Sequence, residues 1–157
     1  MIDQYTVTTA ITLLVVAYAA ARGDSPERWC AAAIGVETVV DFTLHYTIGP
    51  RSFSEFNLSR LVFDMMKASV FITVALRANR VYPLGVAAAG VVAVIGSIPA
   101  LLNKEGWNQA YWAMTNTPTY LQVVLLAAGT VAHRKRLALI GPYNCWSPRP
   151  APARQAA

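Results

Sequence analysis

The chain has 157 residues and a net charge of +5, yet only 13% of it is charged while 55% is hydrophobic, and its mean hydropathy is +0.40. Soluble domains carry about 25% charged residues, so this balance argues against a soluble fold and for one small membrane domain. The basic residues flank apolar blocks and do not interleave with aromatics on one face, which argues against a nucleic-acid partner.

The first apolar block, residues 2–21, has the length of a single helical span. A secretory signal peptide is the alternative, but Asp3 and no Lys or Arg precede the apolar run, whereas such a peptide starts positive. Gly23-Asp24-Ser25-Pro26-Glu27-Arg28 reads as a tight turn into a second helix over 26–48. Ser25 is the expected N-cap, Pro26 suits the first helical position and Glu27 favours the helix dipole. Gly49-Pro50 ends that helix, and Ser52-x-x-Glu55 resembles a capping box opening the third, expected over 57–80. Arg77 and Arg80 at its far end read as snorkelling interfacial anchors. A fourth span over 81–102 is rich in Gly and Ala, which let helices approach closely.

The fifth segment, 107–132, is mixed. Trp107, Tyr111 and Trp112 look like an interfacial belt, Thr115 to Thr119 interrupts the pattern, and only Tyr120 to Ala132 is cleanly apolar. About 13 residues are too short to cross, so the span includes the polar part, with Asn116 and Pro118 as a kink or gate; a re-entrant segment is the alternative. Arg134, Lys135 and Arg136 close the membrane region as a topology signal that can also touch anionic lipid. Residues 137–157 read as a disordered, Pro-rich cytoplasmic tail. With five spans the basic residues Arg22, Arg28, Arg77, Arg80, Arg134, Lys135 and Arg136 fall on one side, against Arg51 and Lys104 on the other. That bias sets N-out and C-in. The fold expected for 1–136 is thus an all-α, polytopic transmembrane bundle of about five spans, or four plus the re-entrant segment. Cys30 and Cys145 have no paired spacing and fall on the cytosolic side, so free thiols are expected.

Pro26-Glu27-Arg28, Asp64, Asn79-Arg80-Val81-Tyr82-Pro83-Leu84 and the run from Ala127 to Arg136 occur together. In these motifs the chain resembles small uncharacterised multi-pass inner-membrane proteins of sphingomonad-type alphaproteobacteria. The resemblance implies a bacterial inner-membrane location and carries no activity. Glu37, His45 and Lys67 do not belong to that pattern.

The chemistry resides in the second and third helices. Glu37, Asp41 and His45 recur every four residues, and Arg60, Asp64 and Lys67 at four and three, so each set lies on one helical face. Helical rise puts His45 and Arg60 about 5 Å below the outer boundary, Asp41 and Asp64 about 10 Å, and Glu37 and Lys67 about 15–17 Å. In hydrocarbon such groups face a bundle interior or a polar cavity. One reading is an ion-paired ladder in an accessory or structural membrane protein, with Glu37 meeting Lys67. The alternative is a path for protons, cations or small polar solutes, in which two carboxylates at one depth raise one pKa beside a histidine. A holin-like pore former is a further alternative. Catalysis is disfavoured, because His45 and Asp41 lack a nucleophile motif or cofactor loop. Glu37, Asp41 and His45 likewise lack the H-E-x-x-H arrangement of a metal site. No cofactor is expected; the expected partners are the bilayer and a homo-oligomer or larger membrane complex.

Overall fold

The computed structural model describes residues 4–48, 58–102 and 108–146. Five α-helices account for nearly all of them: α1 Gln4–Arg22, α2 Ser25–Ile48, α3 Leu58–Arg77, α4 Tyr82–Leu102 and α5 Asn108–Ile140. Each helix packs on its neighbours in the chain, α5 returns to α1 to close a ring, and α2 also touches α5. The expected aromatic belt (Trp107 and the side chains of Tyr111 and Trp112), Arg51, the Ser52–Glu55 capping box, Lys104 and residues 147–157 lie outside the described parts.

The α1–α2 turn differs from its sequence reading by one residue. Asp24, not Ser25, is the N-cap: its carboxylate accepts the Ser25 amide at 2.7 Å, its carbonyl accepts the Arg28 amide at 3.0 Å, and Glu27 Oε2 accepts the Asp24 amide at 3.1 Å. The reciprocal bond of a capping box needs Glu at the third helical position, and only Asp24 as cap places Glu27 there.

α5 is longer than expected. It runs through Thr115 to Thr119 without interruption, buries Pro118, and continues past Arg136 to Ile140. Arg134-Lys135-Arg136-Leu137-Ala138-Leu139 is a run of strong helix formers, and the first residue able to stop it is Gly141. Gly141 adopts φ 82° and its amide bonds Leu137 O at 3.0 Å, a left-handed helix end that favours glycine.

The first residues of the expected disordered tail also have a fixed place. Residues 141–146 turn back across the end of the bundle, where the Asn79 amide donates to Cys145 O at 3.1 Å and Ala78 forms an isolated antiparallel bridge with Trp146. Tail periodicity says nothing about this strap, because its partner is a non-helical connection between α3 and α4.

Ala19, Cys30, Ala31, Ile34, Phe71, Val74, Val86 and Leu126 belong to one buried apolar cluster, with Phe71, Ile34 and Leu126 its largest fully buried side chains. Many other large apolar side chains lie on the outside, on every helix: Leu14 is 70% exposed, Met66 62%, Leu76 77% and Val124 62%.

α4 and α5 approach closely through glycine. A Cβ on Gly129 would lie 2.6–2.8 Å from ring atoms of Tyr82. In an ordinary helix, Gly→Ala gains up to about 1 kcal/mol. At Gly129 overpacking against the ring reverses the sign, and Gly129→Ala is expected to cost about 1–3 kcal/mol. Thermal unfolding of the purified variant in detergent checks this; a raised midpoint would refute the close approach.

Candidate functional site

Two polar sites lie inside this apolar exterior, one midway along the bundle and one at the end where the α1–α2 and α3–α4 connections meet the strap. In the first, Lys67 Nζ lies 2.5 Å from Glu37 Oε2 and 3.1 Å from Asp64 Oδ1. The Lys67 and Asp64 side chains are 2% and 3% exposed, and Glu37 19%. Helix α3 brings Asp64 and Lys67 onto one face by their spacing of three, and α2 supplies Glu37 from the facing helix. One ammonium thus holds two carboxylates, leaving this triad formally negative by one charge. Asp64 Oδ2 is buried without a partner among the described residues.

The other sequence-predicted residues lie elsewhere. Asp41 accepts the Tyr5 hydroxyl at 3.3 Å and His45 stacks on the Tyr5 ring at 4.2 Å, so both face α1. Arg60 donates to Asn116 Oδ1 at 3.4 Å, linking α3 to α5 near Pro118.

Gln122 was hidden within the run read as cleanly apolar. It is fully buried, and neither its amide nitrogen nor its oxygen has a partner among the described residues. Counted by helical rise from the level of Arg22, Glu27, Arg77 and His133, the residues Thr12, Glu37, Lys67 and Gln122 all come about 15–17 Å in, and Asp64 about one turn further. Four helices therefore place buried or half-buried polar groups in one layer. A lone glutamine inside an apolar helix was the available signal.

The second site centres on Arg80. Its Nη1 donates to Glu27 Oε1, and its Nη2 donates to His133 Nδ1 at 2.9 Å and to Cys145 Sγ at 2.9 Å. The Glu27 side chain is 0% exposed and that of Arg80 6%. Because a guanidinium only donates, His133 Nδ1 is an acceptor here, and the Tyr143 hydroxyl at 2.9 Å also donates to it. The ring of Tyr143 lies under Arg80 at 5.4 Å and under Arg136 at 5.7 Å. The Cys145 thiol donates to Asp24. Carboxylate, imidazole and sulfur surround the guanidinium much as ligands surround a metal, so the cation of this site is part of the chain. Among the described residues no group of three or more His, Cys, Asp and Glu is arranged to hold a metal ion.

Electrostatics follow from these contacts. The bond from Cys145 holds the Asp24 carboxyl below its ordinary range despite partial burial, aided by the Ser25 amide and Arg80. Burial and the same Asp24 contact push the Cys145 thiol up, against the pull of Arg80. Burial opposes the Arg80 charge, but Glu27, Cys145 and Tyr143 together outweigh it and hold the guanidinium above its ordinary value. Glu27 is thus more than the helix-dipole partner its position suggests, and Arg80 is a buried ion-pair partner where an interfacial anchor is expected.

No family model, curated protein or solved structure matches this sequence. What the two sites can do is set by their own geometry.

Removing Lys67 leaves two carboxylates together without their counter-charge, so Lys67→Met is expected to destabilise by about 3–5 kcal/mol. The triple variant Glu37→Gln, Asp64→Asn, Lys67→Met removes the charges together and is expected to recover most of that loss. Denaturant unfolding of the two variants compares them; equal destabilisation would refute an ion-paired layer.

The strap end predicts a pH window. Asp24 has a depressed folded pKa, so its contribution is present above about 4 and is lost as pH falls through the folded value. Cys145 has a raised folded pKa, so its contribution is present below about 8.5 and is lost as pH rises further. Melting midpoints across pH are expected to lose the acid-side slope in Asp24→Asn and the alkaline-side slope in Cys145→Ser. Unchanged slopes would refute the contact.

Proposed function

We propose that the chain is a small multi-pass protein of the bacterial inner membrane, N-out and C-in, whose mid-bundle charges form an ion-paired structural core. The observation that carries this reading is its inverted polarity. Large apolar side chains are exposed along all five helices, while Asp64, Lys67 and Gln122 are buried. In water such a surface has no covering, since contiguous apolar patches on soluble monomers rarely exceed a few hundred Å². In a bilayer it meets hydrocarbon, and internally paired charges are how helical spans carry ionisable groups.

Composition supports the reading less strongly than the surface does. Among the described residues only α1, over Tyr5–Arg22, is long and apolar enough to cross by composition, and α4 adds a shorter apolar run over Tyr82–Ser97. The other helices carry polar or ionisable residues within their length. Arg22, Arg28, Arg77, Arg80 and Arg134 gather at the strap end, as the orientation requires. An accessory role fits a core whose charges hold helices in register while adding little net stability.

A second reading, passage of protons, cations or small polar solutes, is favoured by Asp64 Oδ2 and the Gln122 amide. Gln122 is buried without a partner in the layer that Glu37 and Lys67 occupy, and Asp64 Oδ2 is buried without one about a turn beyond it. Such groups would accept a water chain or a passing ion. Proteoliposomes loaded with a proton-sensitive dye separate the two readings. The structural reading expects no flux above empty vesicles and a lowered melting midpoint in Asp64→Asn. Flux that disappears in a still-folded Asp64→Asn would make the layer a pathway. A reporter fused after Ala157 is expected to signal a cytoplasmic location, and release of the protein by alkaline carbonate would overturn the membrane reading itself.

A further inference from the structure

Beside the Arg80 cluster, between the α1–α2 turn, the end of α5 and the strap, lies an open cleft of about 370 Å³. Its volume falls within the range of small-ligand sites, roughly 300–1,000 Å³. Arg22, Arg28 and Arg134 line it, each exposed. Among the described residues none of these guanidiniums has an ion pair or hydrogen-bond partner, whereas Arg80 behind them has several. Asp24 lines the same cleft, but its carboxylate already accepts from Ser25 and Cys145. His133 at the same wall is committed through Nδ1 to Arg80 and Tyr143. The cleft therefore offers cationic donors and little anionic competition.

Each guanidinium is a planar fork of donors suited to phosphate oxygens, and three unpartnered ones line this one concave volume. The rim is not wholly polar. Leu137 and Pro142 form part of it, and α5 continues beyond His133 for about 10 Å with Leu137, Leu139 and Ile140 exposed at 43%, 85% and 73%. A ligand with a phosphate on an organic stem would satisfy both parts of this surface.

We propose that this cleft is a binding site for a phosphate group on a short organic stem, held by Arg22, Arg28 and Arg134 and roofed by the strap at Pro142 and Tyr143. The ligand is either the headgroup of an anionic phospholipid or a free phosphorylated solute. The lipid source rests on the membrane reading above; the solute source does not.

The test uses the full chain purified in detergent, with Arg28→Gln and Arg134→Gln as variants. Arg77→Gln serves as the control, because Arg77 is exposed at the same end of the bundle but does not line the cleft. Native mass spectrometry follows retention of phosphatidylglycerol against phosphatidylcholine, and calorimetry follows glycerol 3-phosphate. The expected result is selective binding of one phosphate probe, weakened about tenfold or more by each cleft variant with its melting midpoint unchanged, and unaffected in Arg77→Gln. Lipid retention that glycerol 3-phosphate does not displace assigns the site to a headgroup; binding or displacement by glycerol 3-phosphate assigns it to a soluble ligand. Equal weakening in Arg77→Gln would reduce the effect to diffuse surface charge and overturn the proposal. So would absence of binding by glycerol 3-phosphate together with equal retention of both lipids. The calorimetric arm needs no bilayer, so its result is independent of whether the chain is extracted by carbonate.

Discussion

The buried pair of Arg80 with Glu27 is the contact on which one end of the molecule depends. It joins the first turn of α2 to the α3–α4 connection, and through its remaining donors Arg80 also holds α5 by His133 and the strap by Cys145. A carboxylate with no exposed surface needs such a partner, because an unpaired charge in a low-dielectric setting costs several kcal/mol. Glu27, Arg80, His133 and Cys145 therefore have one shared physical role. They bring four separate parts of the chain to a single cation.

The mid-bundle layer works by the same rule with less complete compensation. Lys67 serves two carboxylates, and the layer retains an unpartnered carboxylate oxygen and an unpartnered amide. The contrast between the two sites is informative. At the strap end a carboxylate, an imidazole and a thiol converge on Arg80, as in a structural clamp, although Arg80 Nε itself has no partner among the described residues. Halfway along, the donors and acceptors do not balance, which is where a water or an ion would find purchase.

Much of the helix layout could be read from the sequence, because periodicity and turn chemistry are local. Gly23 to Glu27 marks the first turn, and regular helical rise is enough to place Glu37 and Lys67 at one depth. Contacts across long separations could not be read in the same way. Glu27 and Arg80 are 53 residues apart, and each alone has an adequate local explanation as a dipole partner or an interfacial anchor. Asp41 and His45 share a helical face with Glu37, yet four residues per step drift around a helix of 3.6 per turn, and they face Tyr5 on α1. Gln122 was obscured because a single amide barely alters the mean polarity of an apolar run.

The thiol of Cys145 reaches a carboxylate 121 positions earlier in the chain. During synthesis Asp24 emerges long before Cys145 does, and so do Glu27 and Arg80 before His133. The α1–α2 turn must therefore persist for most of translation without the contacts that finish the strap end of the bundle. At about 5–20 residues per second that interval lasts several seconds or longer, far beyond the microseconds a helix needs to form. Chain assembly thus has a late closing step, before which Arg80 has Glu27 but not His133 or Cys145, and Asp24 lacks its thiol donor.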